Sequence, residues 1–204
     1  MKIEKLEISG GEILVYKITE SIDELLCEIE HPDTLADFLN IKTDKRKLEF
    51  LAVRTALKQM LGKEVYVSYT DEGKPFLADG EFNISISHSK NRVAVGAHPD
   101  AQIGVDIECR SDKIPKLYKR FLNEEEQSYL ADDVRKLQIA WSAKEALYKI
   151  IGKTAVDFAR QLQILPFDAT ETSGKFSAKH LVNGKIYNLH YLQNEDFVLV
   201  WCCG

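Results

Sequence analysis

The sequence predicts an α+β protein built from two similar halves, and two observations carry this prediction. Helical periodicity runs from Thr43 to Leu61 and again over 133–151, and a glycine follows each stretch. Segments typical of antiparallel strands come after each long helix. Because helices and then strands follow in a similar order in residues 1–101 and 102–204, we expect each half to hold an antiparallel sheet and a long helix, with the halves packed as a pseudo-dimer.

Local signals justify the other elements in chain order. Gly10-Gly11 separates two alternating segments, 3–8 and 12–18, and predicts a hairpin. Ser21 with Glu24 forms the capping-box pattern of a helix over 22–30, and a short helix follows Pro32. Asn183-Gly184 indicates a type I′ hairpin. The remaining predicted strands are 64–69, 83–87, 92–97, 102–108, 175–182, 185–192 and 197–203, and the remaining predicted helices are 114–120 and 123–131.

Composition and charge argue against several classes of protein. The 204 residues carry a formal net charge of -5, whereas a duplex nucleic-acid binder usually carries a basic excess. The chain lacks an apolar run near the ~20 residues that span a bilayer. Its four cysteines show no C-x-x-C spacing, which argues against a zinc site or a disulfide framework. We therefore expect a cytoplasmic protein that binds neither nucleic acid nor membranes.

The stretch Gly104-Val105-Asp106-Ile107-Glu108 is the candidate centre of function. Successive side chains of a strand point to opposite faces, so Asp106 and Glu108 share one face. Two neighbouring carboxylates repel each other unless a positive group lies between them, and a hard divalent cation is a natural partner. Taken alone, however, the pattern favours an ordinary edge strand with a solvated acidic face.

A second stretch, from Trp141 to Lys149, reads W-S-A-K-E-A-L-Y-K. Glu145 and Lys149 lie four residues apart on a predicted helix and therefore share a face. A surface Glu–Lys pair at this spacing is common and contributes little to stability, so it too favours an ordinary exposed face when taken alone. Trp141 is expected to be a packing residue. The two stretches together are much more specific than either.

This pair of motifs resembles the signature of the 4′-phosphopantetheinyl transferase superfamily. The resemblance extends upstream to Gly73-Lys74-Pro75-Phe76 and to the segment from Phe82 to Ser89, F-N-I-S-I-S-H-S, which has two residues more than the family pattern. The chain resembles the longer, monomeric type that activates surfactin synthetase and other carrier proteins. The resemblance implies a single transferase unit over 1–204. It also implies Mg²⁺-dependent transfer of the 4′-phosphopantetheine group from coenzyme A to a serine of an acyl or peptidyl carrier protein, with release of adenosine 3′,5′-bisphosphate.

The resemblance also implies roles for individual residues. Asp106, Glu108 and Glu145 would bind Mg²⁺, with Mn²⁺ as an alternative, and Glu145, Lys149 and His88 would be catalytic. Mg²⁺ prefers few carboxylates, retained waters and phosphate oxygens, which suits such a site. The metal would orient the pyrophosphate and neutralise charge on the leaving group. Glu145 is in addition the candidate general base for the carrier serine, directly or through a water molecule.

Coenzyme A carries a pyrophosphate and a 3′-phosphate, so its site must supply cations and hydrogen-bond donors. The ligands that the resemblance implies are Arg46, Lys74, Ser87, His88 and Lys149. One stretch departs from the family, because some relatives hold the 3′-phosphate with a basic pair in a region that here, from His31 to Asn40, has neither Lys nor Arg. We therefore expect Arg46 or the pair Lys42 and Lys45 to bind that phosphate. The sequence leaves open whether Arg54 belongs to this site or forms a structural ion pair.

A basic stretch is the candidate docking surface for the carrier protein. Between Arg110 and Arg120 five cationic residues stand against the single acid Asp112. Carrier proteins are usually acidic around the modified serine, so this stretch would attract them, with Ile114, Leu117 and Tyr118 as apolar contacts. An ordinary solvated amphipathic helix is an equally good interpretation of the same residues.

Two other functions remain as alternatives. Acidic residues on a strand with a nearby lysine also occur in metal-dependent nucleases, although the acidic net charge and the lack of a broad basic stripe count against a nuclease. The second alternative is a carrier-binding module without activity. The complete set of Asp106, Glu108, Glu145 and Lys149 argues against it, because a protein that had lost its activity need not keep every ligand.

Overall fold

The computed structural model describes residues 2–152 and 156–204, without the side chains of residues 2 and 3. Contacts divide the chain into two compact units, Met1–Gln102 and Ile103–Gly204. Each combines helices with an antiparallel sheet, so the predicted α+β class is confirmed. The packing of two halves as a pseudo-dimer stays a prediction. Within the described ranges, none of the helices has both the length and the apolar character needed to cross a membrane.

Unit 1 begins with a hairpin, continues with helices and ends with strands. Its elements are β1 (Lys2–Ile8), β2 (Gly11–Lys17), α1 (Ile22–Leu26), α2 (Pro32–Leu39), α3 (Asp44–Leu61), β3 (Val67–Tyr69), β4 (Pro75–Leu77), β5 (Asn83–Ser89) and β6 (Arg92–His98).

The core of unit 1 lies between its main sheet and α3. The sheet has four strands in the order β1-β2-β6-β5, all antiparallel, and α3 packs on β2 and β6. Thr43 caps α3 by accepting a hydrogen bond from the backbone N–H of Arg46, and Gly62 ends the helix in the left-handed conformation at φ 70°. The buried contact residues include Leu14, Tyr16, Leu51, Leu57, Val93 and Val95.

Unit 2 begins with the acidic strand, continues with helices and ends with strands. Its elements are β7 (Ile103–Cys109), α4 (Lys113–Phe121), α5 (Glu124–Leu130), α6 (Val134–Ile151), α7 (Phe158–Gln161), β8 (Leu162–Ile164), β9 (Ser173–His180), β10 (Ile186–Gln193) and β11 (Phe197–Cys203).

The core of unit 2 lies between its sheet and α6. The sheet has five strands in the order β7-β11-β10-β9-β8, and α6 packs on β7 and β11. Asp133 caps α6 through the backbone N–H groups of Arg135 and Lys136. As in unit 1, the strand that precedes the helices pairs with the last strand of the unit, and the long helix packs on that pair. The buried contact residues include Leu137, Ala143, Leu147, Leu189, Tyr191 and Val200.

Two local predictions were wrong. The helix expected over 22–30 ends at Leu26, because Pro32 starts the next helix and the intervening Ile29 enters the core from a non-helical backbone. The predicted type I′ turn at Asn183-Gly184 requires positive φ at both residues, but only Gly184 has it, at 74°. The Asn183 side chain instead accepts the backbone N–H of Lys185, and the N–H of Gly184 closes the loop on His180.

Candidate active site

The acidic strand β7 faces helix α6. Asp106 pairs with Val200 and Glu108 with Val198 of β11, whose side chains belong to the core under α6. A Cβ atom at Gly104 would lie 2.1 Å from the backbone oxygen of Ala146, so only glycine permits this approach of helix to strand. Because residues two apart share a face of a strand, Asp106 and Glu108 also point towards α6.

Lys149 joins α6 to β7 through two contacts. Its Nζ lies 3.0 Å from Oδ1 of Asp106 and donates to the backbone oxygen of Val105 at 2.7 Å. Asp106 is buried, with 6% of its surface exposed, so its charge needs such a partner. The lysine predicted to reach a phosphate thus contacts one of the predicted metal ligands.

Glu145 lies one turn before Lys149 and shares its electrostatic surroundings. The pKa of the Glu145 carboxyl is raised to about 7, chiefly by burial and then by the charges of Asp106 and Glu108, while Lys149 opposes the shift. Charges shift a neighbouring pKa appreciably only over short distances, and Asp106, Glu108 and Lys149 all shift the pKa of Glu145. We refer to these four residues as the acidic cluster. At neutral pH Glu145 can therefore either hold or accept a proton.

The donor chemistry of this cluster fits a hard divalent cation. Three carboxylates supply oxygen ligands, and the repulsion that raises the pKa of Glu145 is the interaction that a cation relieves. Among the residues that the structure describes, 2–152 and 156–204, no three His, Cys, Asp or Glu side chains lie close enough together to hold a metal ion. Lys149 is the cation that the structure shows beside Asp106.

Lys144, which belongs to the same stretch of α6 as Glu145 and Lys149, is buried in the core and stabilises the fold. Its Nζ lies 2.7 Å from Oε1 of Glu126, and both side chains are fully buried. Glu126 also accepts the backbone N–H groups of Asn123 and Ile164. The remaining acceptors of the amine are backbone oxygens of Phe121 at 2.7 Å, Phe158 at 3.0 Å and Leu162 at 2.8 Å. Lys144 therefore fixes α6 to the end of α4 and to α5, α7 and β8.

Unit 1 gathers a second cluster of predicted site residues. Nη1 of Arg46, at the start of α3, lies 3.0 Å from Oε2 of Glu49 and 3.2 Å from Nε2 of His88 on β5. Nδ1 of His88 lies 3.6 Å from the other oxygen of Glu49. Arg46 and His88 were predicted from the sequence, whereas Glu49 was not.

Ser87 lies apart from this cluster. Its neighbour His88 is exposed, whereas Ser87 is buried with Ser85 and Ser89 on the opposite face of β5. The two side chains therefore cannot donate to one phosphate from the same face of the strand. Strand alternation alone could have indicated this from the sequence.

Lys74 and Arg54 occupy contrasting positions in unit 1. Nζ of Lys74, between β3 and β4, lies 2.5 Å from Oε1 of Gln102, and burial lowers the pKa of its amine. Arg54 is buried in α3, and its guanidinium carbon lies 3.6 Å from the ring centroid of Phe50. Arg54 therefore packs on a neighbouring aromatic ring of α3 through a cation–π contact.

Comparison with known proteins identifies the family. The family model of the 4′-phosphopantetheinyl transferase superfamily matches residues 102–202, which hold Asp106, Glu108, Glu145 and Lys149. This part of the chain belongs to the 4′-phosphopantetheinyl transferase superfamily. Arg46, Lys74, Ser87 and His88 lie outside the matched residues.

Individual relatives of this superfamily are similar over more of the chain. A 4′-phosphopantetheinyl transferase of Aneurinibacillus migulanus is 29% identical in an alignment 160 residues long, which covers 70% of this chain and 66% of the relative. A putative 4′-phosphopantetheinyl transferase of Synechocystis is 26% identical in an alignment 182 residues long, which covers 76% of this chain and 72% of the relative. The L-aminoadipate-semialdehyde dehydrogenase-phosphopantetheinyl transferase of Rattus norvegicus is 27% identical over 60% of this chain, which spans only 47% of its length.

Part of the stretch from Arg110 to Arg120, the predicted docking surface, is exposed to solvent. Lys113, Lys116, Lys119 and Arg120 of α4 are exposed, and Leu117 is 41% exposed. Ile114 packs in the core, so the prediction that it contacts a partner was wrong. Arg110 donates instead to the backbone oxygen of Asn194 and to the side chain of Gln193.

The sequence analysis did not predict the ion pairs of two acids, Glu49 with Arg46 and Glu126 with Lys144. Glu49 follows Arg46 by three residues, a helical spacing that could have indicated their ion pair. The sequence did not predict the contact of Glu126 with Lys144, because these residues meet only in the tertiary fold. Sequence spacing can reveal the first kind of contact but not the second.

Proposed function

We propose that this chain transfers the 4′-phosphopantetheine group of coenzyme A to a serine of an acyl or peptidyl carrier protein and releases adenosine 3′,5′-bisphosphate. The observation that carries the proposal is the cluster of Asp106, Glu108, Glu145 and Lys149 on facing surfaces of β7 and α6. This cluster lies in the part of the chain that the family model matches. The names of the similar proteins support the same transfer.

The acids of the cluster are the proposed metal ligands. Asp106, Glu108 and Glu145 would hold Mg²⁺, or Mn²⁺ in its place, because each supplies carboxylate oxygen. The ion would supply electrostatic stabilisation of the charge that develops on the leaving bisphosphate. Lys149, one turn beyond Glu145, binds an oxygen of the pyrophosphate in this proposal and adds a second positive charge.

The transfer needs a base for the carrier serine, and Glu145 is the proposed one. The serine oxygen forms a bond to the phosphorus that bears the pantetheine arm, and the bond from that phosphorus to the bridging pyrophosphate oxygen breaks. The proton of the serine hydroxyl passes to the carboxylate of Glu145. The pKa of about 7 applies to Glu145 without a bound ion, and a cation on the acids would lower it, so the proposed role as base rests on the place of Glu145 among the acids.

The cationic residues of unit 1 are the proposed ligands of coenzyme A phosphates. Arg46 is exposed and has guanidinium N–H groups beyond the one that contacts Glu49 and His88, so it can donate to an anion, and the ring of His88 lies against it. Lys74 supplies a further amine, and the side chain of Gln102 orients it. Ser87 is the least supported ligand, because its side chain lies on the opposite face of β5 from His88.

The exposed face of α4 is the proposed docking surface for the carrier protein. Lys113, Lys116, Lys119 and Arg120 supply positive charge, and Leu117 supplies apolar contact. An acidic carrier would be attracted to this face in a chain whose net charge is -5. The same net charge supports a monomer that binds neither nucleic acid nor membranes, and we propose a cytoplasmic location.

Intact-mass spectrometry of apo-carrier proteins tests the proposed activity. The purified chain is incubated with coenzyme A, Mg²⁺ and a panel of acyl and peptidyl carriers, and we expect at least one carrier to gain the mass of a phosphopantetheine group. Glu145→Gln should lower the rate by at least about a hundredfold, because it removes both a ligand and the base. The control Glu171→Gln changes an exposed acid and should transfer at the wild-type rate. Modification of none of the carriers would refute the proposal.

A further inference from the structure

Glu49 is a buried acid surrounded by exposed cationic side chains. Its side chain is 6% exposed, whereas those of Lys45, Arg46 and His88 are 77%, 64% and 38% exposed. Burying a carboxylate is costly unless charged or hydrogen-bonding partners compensate. This arrangement holds three basic groups around one fixed anion, with their outer surfaces accessible.

The contacts of Glu49 determine how Arg46 is oriented. Oε2 of Glu49 accepts a hydrogen bond from Nη1 of Arg46 at 3.0 Å, one helical turn apart on α3. An exposed arginine otherwise samples many rotamers, and a charge-assisted hydrogen bond to a buried carboxylate restricts them. Arg46 is thereby held beside His88.

The same contacts determine which nitrogen of His88 carries the proton. Arginine only donates, so Nε2 of His88, 3.2 Å from Nη1 of Arg46, must be the acceptor nitrogen. In a neutral imidazole the proton then lies on Nδ1, which faces Oε1 of Glu49 at 3.6 Å. Glu49 stabilises this tautomer because its carboxylate lies on the side of the N–H.

We propose that Glu49 is a positioning residue: it favours the tautomer in which His88 accepts from Arg46, and it holds Arg46 so that the remaining N–H groups of the guanidinium bind a phosphate group of coenzyme A. The inference rests on the proposed function, since it concerns the same ligand. In this proposal Glu49 makes no contact with coenzyme A and acts only through Arg46 and His88.

Two opposing effects make the proposal testable. A carboxylate close to a phosphate repels it, so loss of the Glu49 charge alone would tighten coenzyme A binding. Loss of the acceptor, in contrast, frees Arg46 and His88, and ordering them again on binding weakens affinity. The proposal states that the second effect is larger.

The test combines nitrogen-15 NMR of the His88 ring with calorimetric titration of coenzyme A. In the wild type we expect the Nδ1–H tautomer. Glu49→Met, which removes the acceptor and keeps the size, should give mixed tautomers and a dissociation constant about tenfold higher. Glu49→Gln keeps an acceptor oxygen, so it should retain the wild-type tautomer and raise the constant less than Glu49→Met.

The matched control is Glu81→Met, since Glu81 pairs with Lys63 at 2.7 Å on the exposed surface of the same unit. This variant should change neither measurement. A wild-type His88 with its proton on Nε2, or a Glu49→Met variant that binds coenzyme A as tightly as the wild type or more tightly, would overturn the inference. The first of these outcomes needs no variant, so it decides even if Glu49→Met fails to fold. A wild type that does not bind coenzyme A would instead refute the proposed function, while the tautomer measurement still reports whether Glu49 orients His88.

Discussion

Glu145 combines burial with repulsion from two neighbouring acids. Its pKa rises from 4.5 to about 7 because burial and the charges of Asp106 and Glu108 outweigh the attraction of Lys149. The folded-state pKa therefore lies above the unfolded-state value. The resulting contribution to stability is fully present below pH 4.5 and is lost as the pH rises through 7. Its upper bound is about 3.5 kcal/mol, since one pKa unit corresponds to about 1.4 kcal/mol.

Glu145→Gln should remove this pH dependence. We expect the metal-free wild type to lose more free energy of unfolding between pH 5 and pH 8 than the variant does, by about 2 to 3 kcal/mol. Urea unfolding in the presence of a chelator at several pH values measures the difference. Glu171→Gln, which changes an exposed acid, should follow the wild type. Identical pH profiles for the wild type and Glu145→Gln would show that Glu145 does not interact with the other acids.

Residue-scale predictions from the sequence succeeded where spacing fixes geometry. The i, i+4 spacing placed Glu145 and Lys149 on one helical face, and their electrostatic interaction confirms it. The partner of Lys149 could not be predicted, because its contact with Asp106 spans 43 residues of sequence. The assignment of Ser87 and His88 to the same phosphate overlooked the alternation of a strand.

At the scale of elements, the glycine of the acidic strand controls how closely α6 approaches β7. A Cβ atom at Gly104 would lie 2.1 Å from the backbone oxygen of Ala146, and backbone atoms cannot move aside as a flexible side chain can. Gly104→Ala should therefore separate strand from helix and cost about 1–3 kcal/mol of unfolding free energy. It should also lower the transfer rate, since Asp106 and Glu145 lie on the two separated elements.

Urea unfolding and the carrier assay together check this expectation. The control Lys175→Ala places alanine at an exposed position of β9 and should change stability by less than about 0.5 kcal/mol. A Gly104→Ala variant with wild-type stability and activity would show that the close approach of α6 to β7 is not required.

The buried pair of Lys144 and Glu126 connects α6 to α5 and to the ends of α4 and α7. Lys144→Met should cost about 3–5 kcal/mol, because it leaves the carboxylate of Glu126 buried without its cation. The double variant Lys144→Met/Glu126→Gln should recover part of this loss, since it removes the unpaired charge. Urea unfolding of the wild type, of each single variant and of the double variant gives the coupling energy. A loss below about 1 kcal/mol in the single variant would contradict a charged pair at this position.

The exposed face of α4 carries a separate prediction about the carrier protein. Reversal of two charges, Lys116→Glu with Lys119→Glu, should raise the Michaelis constant for an acidic carrier about tenfold and leave that for coenzyme A unchanged. The matched control is Lys175→Glu with Lys185→Glu, which reverses two exposed lysines away from α4. Equal carrier kinetics for the two double variants would exclude α4 as the docking surface.

At the scale of the whole molecule, the sequence predicted the elements better than their joints. The long helices α3 and α6 were recognisable from periodicity, an N-terminal cap and a final glycine, all of which are local. The turn after β9 was predicted with the wrong geometry, because Asn183 uses its side chain rather than a positive φ. The ion pair of Lys144 and Glu126 depends on tertiary packing and left no signal in spacing.

The residues proposed to take part in the transfer occur in both units, while the family match covers residues 102–202. The acids and Lys149 belong to unit 2, and Arg46, Lys74 and His88 belong to unit 1. In unit 2, Asp106, Glu108 and Glu145 are proposed to bind one divalent cation.

Titration of Mn²⁺ into the purified protein, followed by electron paramagnetic resonance, measures whether these three acids bind one ion. We expect one bound Mn²⁺ per chain, competition by Mg²⁺, and a loss of affinity of about tenfold or more in each of Asp106→Asn, Glu108→Gln and Glu145→Gln. Mn²⁺ binding that is equally tight in the wild type and in the variant that combines all three substitutions would contradict this expectation.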